Sequence, residues 1–129
     1  MNSHFERYIL ADINPDLINL FNIVKDNVDA YIEACKPIFF AENANTAEYY
    51  YAQRDAFNQS TDPFERSVLF LYLNRFGFNG LCRYNSKNEF NVPFGAYKTH
   101  YFPEDELRYF AHKAQSAVFY VLIFNRHLN

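Results

Sequence analysis

The sequence predicts an α/β chain. Two short sheet strands, one near each end, bracket a mainly helical middle that carries an irregular β-hairpin. Three observations predict it. RYILAD (7–12) and AVFYVLIF (117–124) read as strands buried in a parallel sheet. Between them, apolar residues recur at helical spacing. The chain's three glycines, Gly77, Gly80 and Gly95, all fall within GFNGLCRYNSKNEFNVPFG (77–95). Glycine is placed where a backbone turns sharply or lets a neighbour come close.

Each element has its own signals. After the first strand, Asn14 can cap a helix, Pro15 suits the first helical position, and Asp16 favours the positive end of the dipole. Leu17, Leu20, Phe21, Val24, Val28, Tyr31, Ile32 and Cys35 then form one face of a single long helix, which Pro37 is expected to end. Residues 38–45 read as a loop. A second helix starts near Thr46 and breaks at NQST (58–61), and its Tyr49–Tyr51 triplet reads as core and helix surface. Asp62, Pro63 and Glu65 match a capping box with proline at the first helical position. The helix they open is apolar all round from Val68 to Leu73, so it is central and buried, with Gly77 as its stop. Leu69, Leu71, Leu73, Tyr50 and Phe57 can supply a small core. Residues 79–94 read as the hairpin, with NSKN (85–88) at its tip. A last helix is expected from Pro103 to about Ala114.

Composition narrows the function classes. Half of the 129 residues are apolar and a fifth are aromatic, which excludes a disordered chain. The longest apolar runs fall short of the roughly 20 residues that span a bilayer, so no membrane partner is expected. MNSHFERYIL lacks a basic-then-apolar signal layout. Cys35 and Cys82 are too few for a disulfide framework, and His4, His100, His112 and His127 show no metal spacing, so no metal is expected. Cys82 reads as a packing residue. A reduced, cytoplasmic protein is the expectation. Net charge is −3, but its distribution is uneven. Asn14–Arg66 balances to −5, whereas Arg75–His100 balances to +3 through Arg75, Arg83, Lys87 and Lys98 against Glu89. Local charge decides where a polyanion docks.

Three stretches carry a resemblance: RYILADINPDLINLFNIVK (7–25), DPFERSVLFLYLNRFGFNGLCRYN (62–85) and EFNVPFGAYKTHYFPEDEL (89–107). They resemble the DNA adenine methylases of the Dam family, from about Arg7 to about Phe119. Members transfer a methyl group from S-adenosylmethionine to N6 of adenine in double-stranded GATC. The resemblance implies an incomplete Rossmann-like methyltransferase sheet of about two strands, with an inserted, mainly helical target-recognition domain bearing the hairpin. The implied parts are a cofactor-domain piece at 1–14, the recognition domain at 15–102, and a return helix and strand at 103–129.

The resemblance also implies roles. Asp12 would bind the cofactor ribose hydroxyls, and Ile13 would lie beside its adenine. A carboxylate on a ribose is the device that dinucleotide folds use; read alone, Asp12 is a helix-leading acid with a structural role. Phe78 would be an aromatic wedge beside the flipped adenine, and Asn79 would fill the space it leaves. Leu81, Arg83 and Pro93 match base-contacting positions. The chemistry suits them. An aromatic offsets lost stacking, an arginine fork fits guanine O6 and N7, and apolar side chains meet a thymine methyl. Arg54, Arg75, Asn85, Asn91 and Lys98 match phosphate contacts, which set register and affinity; read alone, Arg54 is a solvated surface residue and Arg75 is evenly balanced. Ala96 departs from an arginine common in the family, which should weaken binding modestly.

Two family motifs are missing. No Phe-x-Gly-x-Gly loop precedes Asp12, and no Asp-Pro-Pro-Tyr occurs anywhere. DPF (62–64) opens a helix instead. The final VLIFNRHLN leaves the family's pattern, as a frameshift or premature stop would make it. The expectation is therefore a piece of an adenine-N6 methyltransferase with no catalytic residue of its own and no activity alone. The alternative is a stand-alone module that prefers GATC without methylating it.

Overall fold

The computed structural model describes residues 15–113. Both expected strands, together with Asp12, Ile13 and the Asn14 cap, lie outside the described residues. Within them the chain forms five α-helices: α1 (Pro15–Asp26), α2 (Val28–Phe39), α3 (Ala47–Gln59), α4 (Pro63–Phe76) and α5 (Glu104–Lys113).

The centre is α4. Every residue from Ser67 to Phe76 is buried, as expected for a helix that is apolar on all sides. Helices α1, α2 and α3 pack around it, and α5 closes against α1 and α2. Leu69, Leu71, Leu73, Tyr50 and Phe57 are all in the core. Its start is a modified capping box. Asp62 Oδ2 accepts the Glu65 amide at 2.9 Å, but Glu65 does not return the favour. Its carboxylate accepts from the Ser60 hydroxyl instead, and that Oγ accepts the Asp62 amide.

Tyrosine carries much of the packing. Tyr31, Tyr50 and Tyr72 are fully buried, and each hydroxyl donates to a backbone carbonyl: Ser67, Val92 and Ala44 respectively, at 2.7–2.8 Å. The ring contributes apolar area while the hydroxyl, which would otherwise be buried unsatisfied, donates to a backbone carbonyl. Tyr49 does the same for Ile38. Burial pushes the Cys35 thiol up to about 12, so it packs as a neutral side chain.

The expected single helix over 15–35 is two. Asn27 leaves the helical region, with φ −156° and ψ 83°, and its side chain caps α2 by accepting the Ala30 amide at 3.1 Å. A short amide that can bond nearby backbone competes with helix continuation. The buried face nevertheless runs on, through Leu17, Leu20 and Val24 to Tyr31, Ile32 and Cys35. Pro37 does not end the helix either, since α2 continues to Phe39. Only one intrahelical bond, to Glu33, is forfeited, and both residues sit on the exposed side.

Residues 79–94 contain no extended strand. Pairing is limited to two isolated antiparallel bridges, Gly77 with Phe94 and Tyr84 with Phe90. A short 3₁₀ turn at Phe78–Gly80 interrupts the near side, with Asn79 and Gly80 at positive φ (54° and 63°). Side chains of α3 take the place of a strand neighbour. Asn58 pairs with both backbone groups of Phe90: Oδ1 accepts its N–H at 2.8 Å, and Nδ2 donates to its carbonyl at 3.0 Å. Tyr50 and Arg54 both donate to the Val92 carbonyl, at 2.8 and 3.2 Å. The Tyr51 hydroxyl accepts the Phe94 amide at 3.2 Å. Gly77 itself is extended (φ −79°, ψ 160°), so it is needed for space rather than for a left-handed turn. A Cβ there would lie 2.5 Å from the Leu73 carbonyl oxygen and 2.8 Å from the Tyr50 hydroxyl.

Two stability measurements follow. Asn58→Ala strands both Phe90 groups and should cost about 1–3 kcal/mol in urea unfolding; a change within about 0.5 kcal/mol, typical of a neutral surface site, would contradict the pairing. Gly77→Ala should lower stability by about 1–3 kcal/mol through overpacking against fixed backbone, read as a lower thermal midpoint. An unchanged midpoint would show that α4 and the loop can part freely.

Candidate nucleic-acid interface

Loop 77–95 leaves the buried end of α4 and returns beside it. Its root is double-bonded: the Phe78 amide donates to the Pro93 carbonyl and the Gly95 amide to that of Phe76, both at 2.9 Å. Its tip is an asparagine turn. The Asn85 amide donates to the Glu89 carbonyl, Asn85 Oδ1 accepts from the Lys87 and Glu89 amides, and Asn88 adopts φ 62°. Between root and tip the Asn91 amide donates to the Arg83 carbonyl, and Arg83 Nε donates to Asn91 Oδ1.

On this frame the five expected base-side residues, Phe78, Asn79, Leu81, Arg83 and Pro93, are all exposed. Phe78 and Leu81 are 46% and 38% exposed. Both side chains are open to solvent on the same stretch of loop as Arg83. The turn at Phe78 and Asn79 is held from behind. The Tyr97 hydroxyl accepts the Asn79 amide at 2.6 Å and so fixes the left-handed residue at the turn. Tyr97 is itself held by its carbonyl, which accepts from Asn45 Nδ2 at 2.7 Å. Gly95 allows this, because a Cβ there would strike the Tyr97 ring.

The expected phosphate-side residues divide. Arg54, Asn85 and Asn91 come together, with Asp55, Asn58, Gln59, Glu89 and Phe90, around an open polar cleft of ≈ 220 Å³ between α3 and the loop. They also have internal duties. Arg54 lies over the Tyr51 ring at 4.6 Å while bonding Val92. Asn85 organises the tip, and Asn91 steadies Arg83. Lys98 is exposed, apart from that cleft. Arg75 is only 6% exposed, within the last turn of α4. Cys82 is exposed rather than packed. Desolvation nonetheless raises its thiol to about 11, so it is no thiolate nucleophile at neutral pH.

Asn58 and Tyr97 were not among the expected site residues. Asn58 reads from sequence as part of a helix-breaking NQST, and Tyr97 as one aromatic among many. The signal that could single them out is chemical: an amide can satisfy a donor and an acceptor at once, and a tyrosine hydroxyl can serve an unpaired amide. Among the described residues no group of three or more His, Cys, Asp or Glu could hold a metal ion, and no helix is long and apolar enough to cross a membrane.

Comparison with known proteins places the chain. It is 87% identical over 119 residues to a DNA adenine methylase of Haemophilus influenzae. It is 62% identical over 120 residues to one from Escherichia coli K12, and 60% identical over 119 residues to one from Vibrio cholerae El Tor. These matches cover 92–93% of this chain but only 42–43% of the relatives' own length. Residues 1–128 match the family described as D12 class N6 adenine-specific DNA methyltransferase, and the chain belongs to that family.

Proposed function

We propose that this chain is the DNA-reading portion of an adenine-N6 methyltransferase that acts on GATC in duplex DNA with S-adenosylmethionine as methyl donor. The observation that carries the reading is loop 77–95, which presents Phe78, Leu81 and Arg83 to solvent from a root fixed in the helical core. Phe78 enters the duplex and offsets the few kcal/mol that extruding the target adenine costs. Asn79 occupies the vacated space. Arg83 reads a guanine through its guanidinium fork, while Leu81 and Pro93 meet thymine methyls. Arg54, Asn85 and Asn91 line one phosphate-facing cleft, and Lys98 adds a second contact. Arg75 reaches a phosphate only if the end of α4 opens, so it ranks last in this set. The recognition domain spans 15–102 and hangs from the cofactor domain, where Asp12 and Ile13 would hold the ribose and adenine of S-adenosylmethionine.

Methyl transfer is not assigned to these 129 residues by themselves, because neither Phe-x-Gly-x-Gly nor Asp-Pro-Pro-Tyr occurs among them. Their part is to find and open the site. One observation favours binding without catalysis: the described helices and the loop share one core, from Leu17 through Val92 to Phe110.

Fluorescence anisotropy with a GATC duplex and a scrambled duplex tests the reading. GATC should bind more tightly, and both affinities should fall steeply with salt. Equal affinity for the two duplexes would refute base reading. Arg83→Ala should cost about 1–3 kcal/mol on GATC and little on the scrambled duplex. Lys98→Ala should weaken both alike and reduce the salt slope by about 1; a sequence-selective loss would mean that Lys98 reads a base.

A further inference from the structure

Asp16 and Arg66 form a part-buried charge pair that is bonded within the protein. Arg66 Nε and Nη2 hold the carboxylate at 3.0–3.2 Å. Its Nη1 donates to the Phe57 and Ser60 carbonyls at the end of α3, at 2.7 and 3.1 Å. The guanidinium lies 4.0 Å from the centre of the Phe57 ring. Nε, Nη1 and Nη2 of Arg66 are thus all engaged inside the protein. The carboxylate has one further bond, and it comes from the loop: the Tyr84 hydroxyl donates to Asp16 Oδ2 at 2.7 Å, across 68 residues of sequence.

Tyr84 is the loop's paired residue opposite Phe90, and Arg83 precedes it directly. Neighbouring residues of an extended segment face opposite ways, so a one-residue slip would exchange them. Tyr84 is half-buried and Arg83 exposed. Tethering one phenol inward therefore sets the outward aim of the guanidinium beside it. Burial and the Asp16 carboxylate both hold the Tyr84 phenol well above its ordinary range, so it remains a donor.

We propose that Asp16, oriented by Arg66 and acting through the Tyr84 hydroxyl, is a positioning residue for base recognition: it fixes the register in which loop 77–95 presents Arg83 to DNA. This rests on the reading of that loop as the base-contacting element. The pair acts on discrimination rather than on attraction, since it contributes no charge to the phosphate contacts.

The test is anisotropy on the wild-type chain, Tyr84→Phe and Asp16→Asn, with GATC and scrambled duplexes across a salt series, alongside thermal melts. Tyr84→Phe removes one hydroxyl and keeps the ring against Phe90, 5.7 Å away. The ratio of GATC to scrambled affinity should fall about tenfold, within what one arginine–guanine contact discriminates, with the salt slope unchanged. Asp16→Asn should do the same; if it does not fold, Tyr84→Phe decides alone. A wild-type preference for GATC that Tyr84→Phe leaves intact, or an equal loss on both duplexes with a lower melting point, overturns the proposal. A wild-type chain with no preference overturns the base-reading assignment itself, and this inference with it.

Discussion

Loop 77–95 depends on a helix doing the work of a β-strand. The Phe90, Val92 and Phe94 backbone groups that face α3 have no ladder to join, and unpaired buried N–H and carbonyl groups are costly. Helix α3 supplies the missing partners from one face: Tyr50, Tyr51, Arg54 and Asn58 meet Val92, Phe94 and Phe90. These bonds are directional, so they fix where the segment lies as well as satisfying it. Phe90 and Val92 then close into the core with Phe57 and Phe70. The outer surface is left to Phe78, Leu81 and Arg83.

This arrangement makes rigidity and exposure compatible. Exposed apolar side chains are retained without collapse because the backbone beneath them is already committed. The root is pinned by α4, the return by α3, the turn at Asn79 by Tyr97, and Tyr84 by Asp16. Preorganisation of this kind lowers the ordering cost of binding. The charge layout agrees with it. The acidic half of the chain, which includes Asp16, forms the supporting helices, and the excess of base lies in 75–100, where the loop is.

Much of the helical middle was legible in the sequence because its signals are local. Thr46 and Asp62 cap α3 and α4 where their side chains predict, and the all-round apolar run of α4 is buried throughout. What failed was competition between local signals. Asn27 chose to cap α2 rather than continue α1, and Pro37 was tolerated in a last turn on the exposed side. The expected irregular hairpin is reduced to two antiparallel bridges about an asparagine turn at 85–88. Its return side is held in addition by side chains of α3 more than 30 residues away, which no period or turn signal reports. The glycines illustrate the same limit. Gly80 does take positive φ, whereas Gly77 and Gly95 are required by close neighbours that only the fold reveals. The contacts that Asn58, Tyr97 and the Asp16–Arg66 pair make with the loop were not legible, because each acts across distance.

Amide hydrogen exchange at Phe90 and Phe94 in the free chain tests the central claim most directly. If α3 substitutes for a strand, both amides should be strongly protected, opening only with the helices that hold them. Exchange at the rate of an unstructured peptide, with α4 still protected, would mean that the segment is not held by α3, and that the loop acquires its shape only on DNA.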